Sequence, residues 1–112
     1  RRTEYMGGES QVPRSQPVTD AEREFSRLTN EYYWGSVWTR PGLDLTSRSI
    51  CTLSALIALG QTGPLRSHIK GARHIGLSQE EVVEVMVHTA FYVGLPFVRA
   101  AMDIANEVFG AE

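Results

Sequence analysis

Two tetrapeptides, TDAE at 19–22 and SQEE at 78–81, constrain this chain more than any other feature. Each sets a hydroxyl residue three positions before a glutamate. That is the pattern of a capping box, in which the hydroxyl accepts an N–H of the first helical turn and the glutamate reaches back to the cap. Both therefore mark helix starts, and glycine and proline punctuate the rest at helix-length intervals. Thr19 opens a helix that carries Phe25, Leu28 and Tyr32 on one face and runs to about Tyr33. Gly35, Pro41 and Gly42 make the segment WGSVWTRPGLD a loop or short turn. Asp44 caps a helix over 45–59, and GQTG at 60–63 ends it. Pro64 suits the first turn of the next helix, which Gly76 closes as a C′ glycine. A fourth helix runs from Ser78 to about Val93, where Gly94 and Pro96 break it, and a last one from about Pro96 to Phe109. No segment sustains the period-two alternation of a strand, and no internal repeat is evident. The spacing predicts an all-α domain of five helices over 19–112, after an irregular arm over 1–18 that holds Gly7, Gly8, Pro13 and Pro17.

The 45–59 helix is apolar almost all round, from Ile50, Cys51 and Leu53 to Leu59, which is expected of a helix buried at the centre of its domain. A chain of 112 residues builds only a modest core, so further burial in an oligomer is expected. An apolar content of 42% with 21% charged residues is that of a soluble globular protein. A net charge of −2 without a basic run argues against nucleic acid as a partner. No apolar run approaches the ~20 residues of a membrane helix, and the first residues show no signal-peptide pattern. The single cysteine, Cys51, excludes an internal disulfide framework and suits a reducing cytoplasm. Its place in the apolar helix predicts a packing role.

Three histidines bear on chemistry. His68 falls on the apolar stripe of Leu65, Ile69 and Ala72. A hydrogen-bonded core histidine and a general acid–base both fit that position. Glu84, His88 and Tyr92 share a stripe at i, i+4 and i+8, where a carboxylate one turn before an imidazole can orient it, or where the two form an ordinary solvated pair. His74 lies six residues after His68 and so on another face, a poor metal pair, and no helix carries metal-ligand spacing. Trp34, Trp38, Arg40 and Arg48 crowd around the helix start at Asp44. Guanidinium groups bind carboxylates bidentately, and helix N-termini favour anions. The cluster reads either as an aromatic-walled site for a small acidic molecule or as core filling with structural ion pairs.

Two runs, YYWGSVWTRPGLDLTSRSICTLSALIAL and LRSHIKGARHIGLSQEEVVEVMVHTAFYVGLP, resemble the carboxymuconolactone decarboxylase family, most closely its small single-domain members. The resemblance covers nearly the whole chain, and Arg1, Arg2, Gly7 and Val12 fit the family's N-terminal arm. It implies an AhpD-like helical bundle of about five to six helices that assembles as a homotrimer or homohexamer, with sites near subunit interfaces. It also implies a carboxy-lyase that needs neither metal nor organic cofactor. On a γ-carboxylated butenolide, loss of carbon dioxide leaves electrons that pass to the lactone carbonyl, giving a dienolate. His68 matches the family's motif histidine and would stabilise or protonate that dienolate. Arg40 and Arg48 would bind carboxylates, Trp34, Trp38 and Tyr92 would wall the site, and Glu84 and His88 would set proton states. The peroxidase branch of the fold places cysteines four and seven residues before this histidine. Here those positions hold Pro64 and Gln61, and a thiol relay has no second sulfur to resolve it.

The chain departs from the family pattern at Tyr33, at His74 and at Phe97, Val98 and Arg99 after the Y-x-G-x-P turn. If Tyr33, Phe97 and Arg99 line the pocket, its shape and charge differ from the reference. The substrate could then be another acidic, enolisable compound, handled by a lyase, isomerase or cyclase. A non-catalytic binding protein is the third reading.

Overall fold

The computed structural model describes residues 15–112, so most of the expected arm, with the matches at Arg1, Arg2, Gly7 and Val12, lies outside the described residues. Five α-helices follow one another: α1 (Asp20–Thr29), α2 (Leu45–Ala58), α3 (Thr62–His74), α4 (Gln79–Val93) and α5 (Leu95–Gly110). Among the described residues there is no strand, and no helix is long and apolar enough to cross a membrane. The caps are where local chemistry puts them. Thr19 Oγ1 accepts from the Glu22 N–H at 3.1 Å and Asp44 Oδ1 from the Ser47 N–H at 2.8 Å. The box at Ser78 is complete in both directions, at 3.0 and 2.9 Å.

One expectation fails at once. Residues 34–37, expected as the start of a loop, instead belong to a π-helix (Asn30–Val37) that continues α1 through Gly35, and the chain turns only after Trp38. The Trp38 N–H donates to the Tyr33 carbonyl at 2.9 Å, an i→i−5 bond. Glycine in a helix costs about 1 kcal/mol. Burying an indole that removes ~150 Å² or more from water returns roughly 4 kcal/mol. Trp38 is only 1% exposed, packed against Tyr33, Trp34, Leu45 and Ile75, so the burial outweighs the glycine.

Helices α2 to α5 form a closed four-helix arrangement in which α2 packs on α3 and α4, and α5 packs on α3 and α4. Its core runs through Leu53 and Ile57 of α2, Leu65, Ile69 and Ala72 of α3, Val82 and Met86 of α4, and Val98, Ala101 and Ala105 of α5. The ends of α3 and α5 are tied by Arg73, which donates to Glu112 at 2.9 and 2.8 Å and to the Leu77 carbonyl at 2.7 Å. Helix α2 is not the buried centre its composition predicts. Only the stripe Ser49, Leu53 and Ile57 is buried, and Ile50, Cys51, Ala55, Ala58 and Leu59 are exposed. Three neighbouring helices cover one side of it, and a chain this size has nothing left to cover the other. Helix α1 goes further and buries no residue at all: Phe25 and Leu28 stand in solvent, as does Tyr32 of the π-helix that follows.

Candidate functional site

The cap at Asp44 and the turn of the π-helix bring one set of residues together. Arg48 lies in the first turn of α2, half-buried, and its NH2 donates to the Arg40 carbonyl at 3.0 Å. Its Nε is buried with no hydrogen-bond acceptor. Beside it is a cavity of about 120 Å³ lined by Tyr33, Val37, Trp38, Leu43, Arg48, Cys51 and Thr52. Cys51 and Thr52 reach it because residues three and four along a helix share a face. The thiol is thus exposed at a cavity and not packed in the core, contrary to the composition of its helix. The Arg40 side chain is exposed, and only its backbone is engaged with Arg48.

Above this cavity the aromatic rings are in mutual contact. Trp34 stacks on Trp38 with centroids 5.2 Å apart and planes at 26°, and Tyr33 meets both edge-on at 5.0 and 6.1 Å. Trp34 also stacks on His68, at 6.4 Å and 11°. Leu65, Ile69 and Ala72 are buried as the stripe predicts, but His68 sits half-buried at the margin of the core. An imidazole, an arginine with a donor to spare and a wall of indoles therefore belong to one cluster. A carboxylate entering the cavity would meet the guanidinium, while His68 and Trp34 do not line that cavity and join it through the stack on Trp38.

The other predicted residues lie elsewhere in the chain. Glu84 and His88 line a groove of about 440 Å³ between α2 and α4, with Ile50, Ser54, Glu81 and Val85. Positions 50 and 54 are on a different face of α2 from 48, 51 and 52, so this groove and the arginine cavity flank the helix on separate sides. Glu84 and His88 share the groove without a hydrogen bond or ion pair between them. Tyr92 packs its ring near His88 at 5.7 Å and is 80% exposed. His74 lies in a separate surface groove with Lys70 and Arg73. Among the departures, Tyr33 does line the arginine cavity, Arg99 is exposed, and Phe97 lines an apolar pocket of about 260 Å³ with Gly60 and Leu65. Sequence reasoning missed Thr52 and misplaced Cys51. The signal that could have found both was their spacing from Arg48. Among the described residues no three His, Cys, Asp or Glu side chains are grouped so as to hold a metal ion.

A sequence model of the Carboxymuconolactone decarboxylase family matches residues 23–107. The chain is 39% identical over 109 residues to a 4-carboxymuconolactone decarboxylase of Acinetobacter baylyi, covering 96% of this chain and 81% of that one. It is 33% identical over 106 residues to a nitrosuccinic acid decarboxylase of Metarhizium robertsii, covering 95% and 74%.

Proposed function

This chain belongs to the carboxymuconolactone decarboxylase family, and we propose that it is a carboxy-lyase that needs no cofactor and releases carbon dioxide from a γ-carboxylated butenolide of the 4-carboxymuconolactone type. The observation that carries this reading is the continuity of the cluster. His68 stacks on Trp34, Trp34 on Trp38, and Trp38 shares a cavity with Arg48, whose buried Nε–H awaits an acceptor. The identity with the Acinetobacter decarboxylase supports it.

The division of labour follows from the charges. A guanidinium that gripped the departing carboxylate would stabilise the ground state against loss of charge, which does not accelerate the reaction. Arg48 therefore anchors a carboxylate that stays, assisted by the exposed Arg40. As carbon dioxide leaves, the electron pair passes through the double bond to the lactone carbonyl oxygen. His68 meets the resulting dienolate as a hydrogen-bond donor and returns the proton to carbon. The lactone is its own electron sink, so the chemistry asks for no metal. Trp38, buried and lining the cavity, keeps water from the anion.

Self-association as a homotrimer or homohexamer is part of this reading. Val87 and Phe91 stand exposed one turn apart on α4, Phe91 90% exposed, and Leu95 is exposed at the start of α5. A second copy seated there is the route by which Glu84, His88 and Tyr92 join the reaction. A reducing compartment such as the cytoplasm suits a chain whose lone thiol is exposed.

The test is release of carbon dioxide from γ-carboxymuconolactone by the purified protein, with and without chelator. Release unaffected by chelator is expected, and no release overturns the choice of substrate. The nitrosuccinic acid decarboxylase favours one second reading. A nitro group, like a lactone carbonyl, accepts the electron pair that carbon dioxide leaves behind. The bulky Tyr33 in the arginine cavity then selects another acidic substrate with such an acceptor.

A further inference from the structure

His68 is fixed at its backbone but not, by α3 alone, at its ring. Ser67 and Ile69 on either side are buried, whereas the imidazole stands half-buried at the edge of the core. The second torsion of a histidine is broad, so the surfaces a ring lies against decide its orientation. Trp34 is one such surface. Its plane lies 11° from that of the imidazole at a centroid distance of 6.4 Å, within the range of offset stacking. Trp34 is itself immobilised, stacked on the buried Trp38 and met edge-on by Tyr33.

The backbone of residues 30–37 is what allows this. On an α-helix, Tyr33 and Trp38 would lie about 140° apart around the axis. The i→i−5 bond from the Trp38 N–H to the Tyr33 carbonyl opens the turn and brings Trp38 back beneath Tyr33, so that three rings pack on one side. We propose that Trp34 is a positioning residue: it acts through His68, by holding the imidazole in one orientation, and the π-helical register is the device that aims it. This rests on the reading of His68 as the proton donor. It differs from a substrate wall, which would contribute to binding and not to the proton transfer.

The experiment compares Trp34→Leu and Trp34→Phe with the unmodified protein, using γ-carboxymuconolactone as substrate. Misplacing a reacting group by about 1 Å can cost 10²-fold in rate, so Trp34→Leu should lower kcat by roughly 10- to 100-fold with KM within about twofold. Trp34→Phe keeps an aromatic face and should restore most of that loss. Combined with His68→Gln, Trp34→Leu should cost nothing further, because a residue acting through His68 has nothing left to orient. A raised KM with kcat unchanged, or an equal loss in both backgrounds, overturns the proposal.

A measurement without substrate separates this inference from the function it builds on. In the unmodified protein, NMR should show His68 ring protons as one set, displaced by the indole ring current, and Trp34→Leu should abolish the displacement. Absence of the displacement, or exchange between two ring orientations, overturns the proposal even where Trp34→Leu does not fold. Failure of the functional reading would show instead as no carbon dioxide release by the unmodified protein.

Discussion

The guanidinium of Arg48 donates to the carbonyl oxygen of Arg40 at 3.0 Å, so one arginine of the pair holds the turn from which the other projects. The two are not equivalent anchors. Arg48 is half-buried with an Nε–H directed at no acceptor, and the Arg40 side chain is in solvent. A hydrogen bond to a charged group contributes ~1.5–3 kcal/mol, so Arg48→Gln should lower kcat/KM by roughly 10- to 150-fold. Arg48→Lys should recover little, because an ammonium cannot reproduce the fork. Arg40→Ala keeps the carbonyl and should cost several-fold less. Steady-state decarboxylation kinetics of the three variants check the ranking.

His68→Gln removes the proton donor while keeping a side chain of similar reach. A positioned acid contributes roughly 10²–10⁴-fold, and turnover should fall by that factor. Because the ring sits at the core margin, the far-ultraviolet circular dichroism should be unchanged. Turnover equal to the unmodified protein, in a folded variant, would remove His68 from the mechanism.

Gly60 closes the turn between α2 and α3 with φ +67°, and a Cβ there would lie 2.8 Å from the Phe97 ring. The left-handed backbone costs a residue with a side chain roughly 1–2 kcal/mol. The ring of Phe97 is 44% exposed and can swing aside. Gly60→Ala should therefore lower the thermal midpoint, and adding Phe97→Ala should recover only the smaller, steric part. Full recovery in the double variant would show that the contact and not the backbone dominates.

Asp44 makes the start of α2 sensitive to acid. The Ser47 backbone N–H, then the side chains of Ser47 and Thr46, hold its carboxyl below the ordinary value of 3.8. A carboxylate whose pKa is depressed on folding contributes stability that is fully present above the unfolded value and is lost as the pH falls through the folded one. The midpoint of the unmodified protein should thus drop as the pH falls from about 5 towards 2. Asp44→Asn keeps an acceptor for the cap but cannot titrate, so its midpoint should fall less steeply over the same range. Parallel pH profiles would contradict the assignment.

The exposed side chains of Val87 and Phe91 on α4, and of Leu95 at the start of α5, should be covered in solution. Sedimentation of the unmodified protein should give a multiple of the 12.5 kDa chain mass. Phe91→Lys should shift it towards the monomer, and a monomer in both would contradict self-association through α4.

Helix starts were legible in the sequence because a cap is a local event. Thr19, Asp44 and Ser78 need only the next three residues to do their work, and each does it. The burial of Leu65, Ile69 and Ala72 was legible for the same reason of short period. The π-helix was not, because Gly35 argues locally for a break and the opposing packing of Trp38 reaches to Leu45 and Ile75, beyond the window. Nor was the exposure of Cys51: apolar composition tells which helix could be buried, not how many neighbours exist to bury it. In the candidate site, the residue types around Arg48 were readable, but their separation from Glu84 and His88 depends on which side of α2 each occupies.

Helix α1 has ten residues and places none of them in the core. A helix that short is marginal in water even with the ion pairs of Arg27 to Glu24 and Glu31. The π-helix that carries Trp34 follows it without a break. Whatever covers Phe25, Leu28 and Tyr32 stabilises α1 by mass action, and the order it confers is passed along the backbone to the ring that lies against His68. A partner seated on that surface would then be a thermodynamic lever on an imidazole that it does not touch, and if the partner is a second copy, dilution would act on rate.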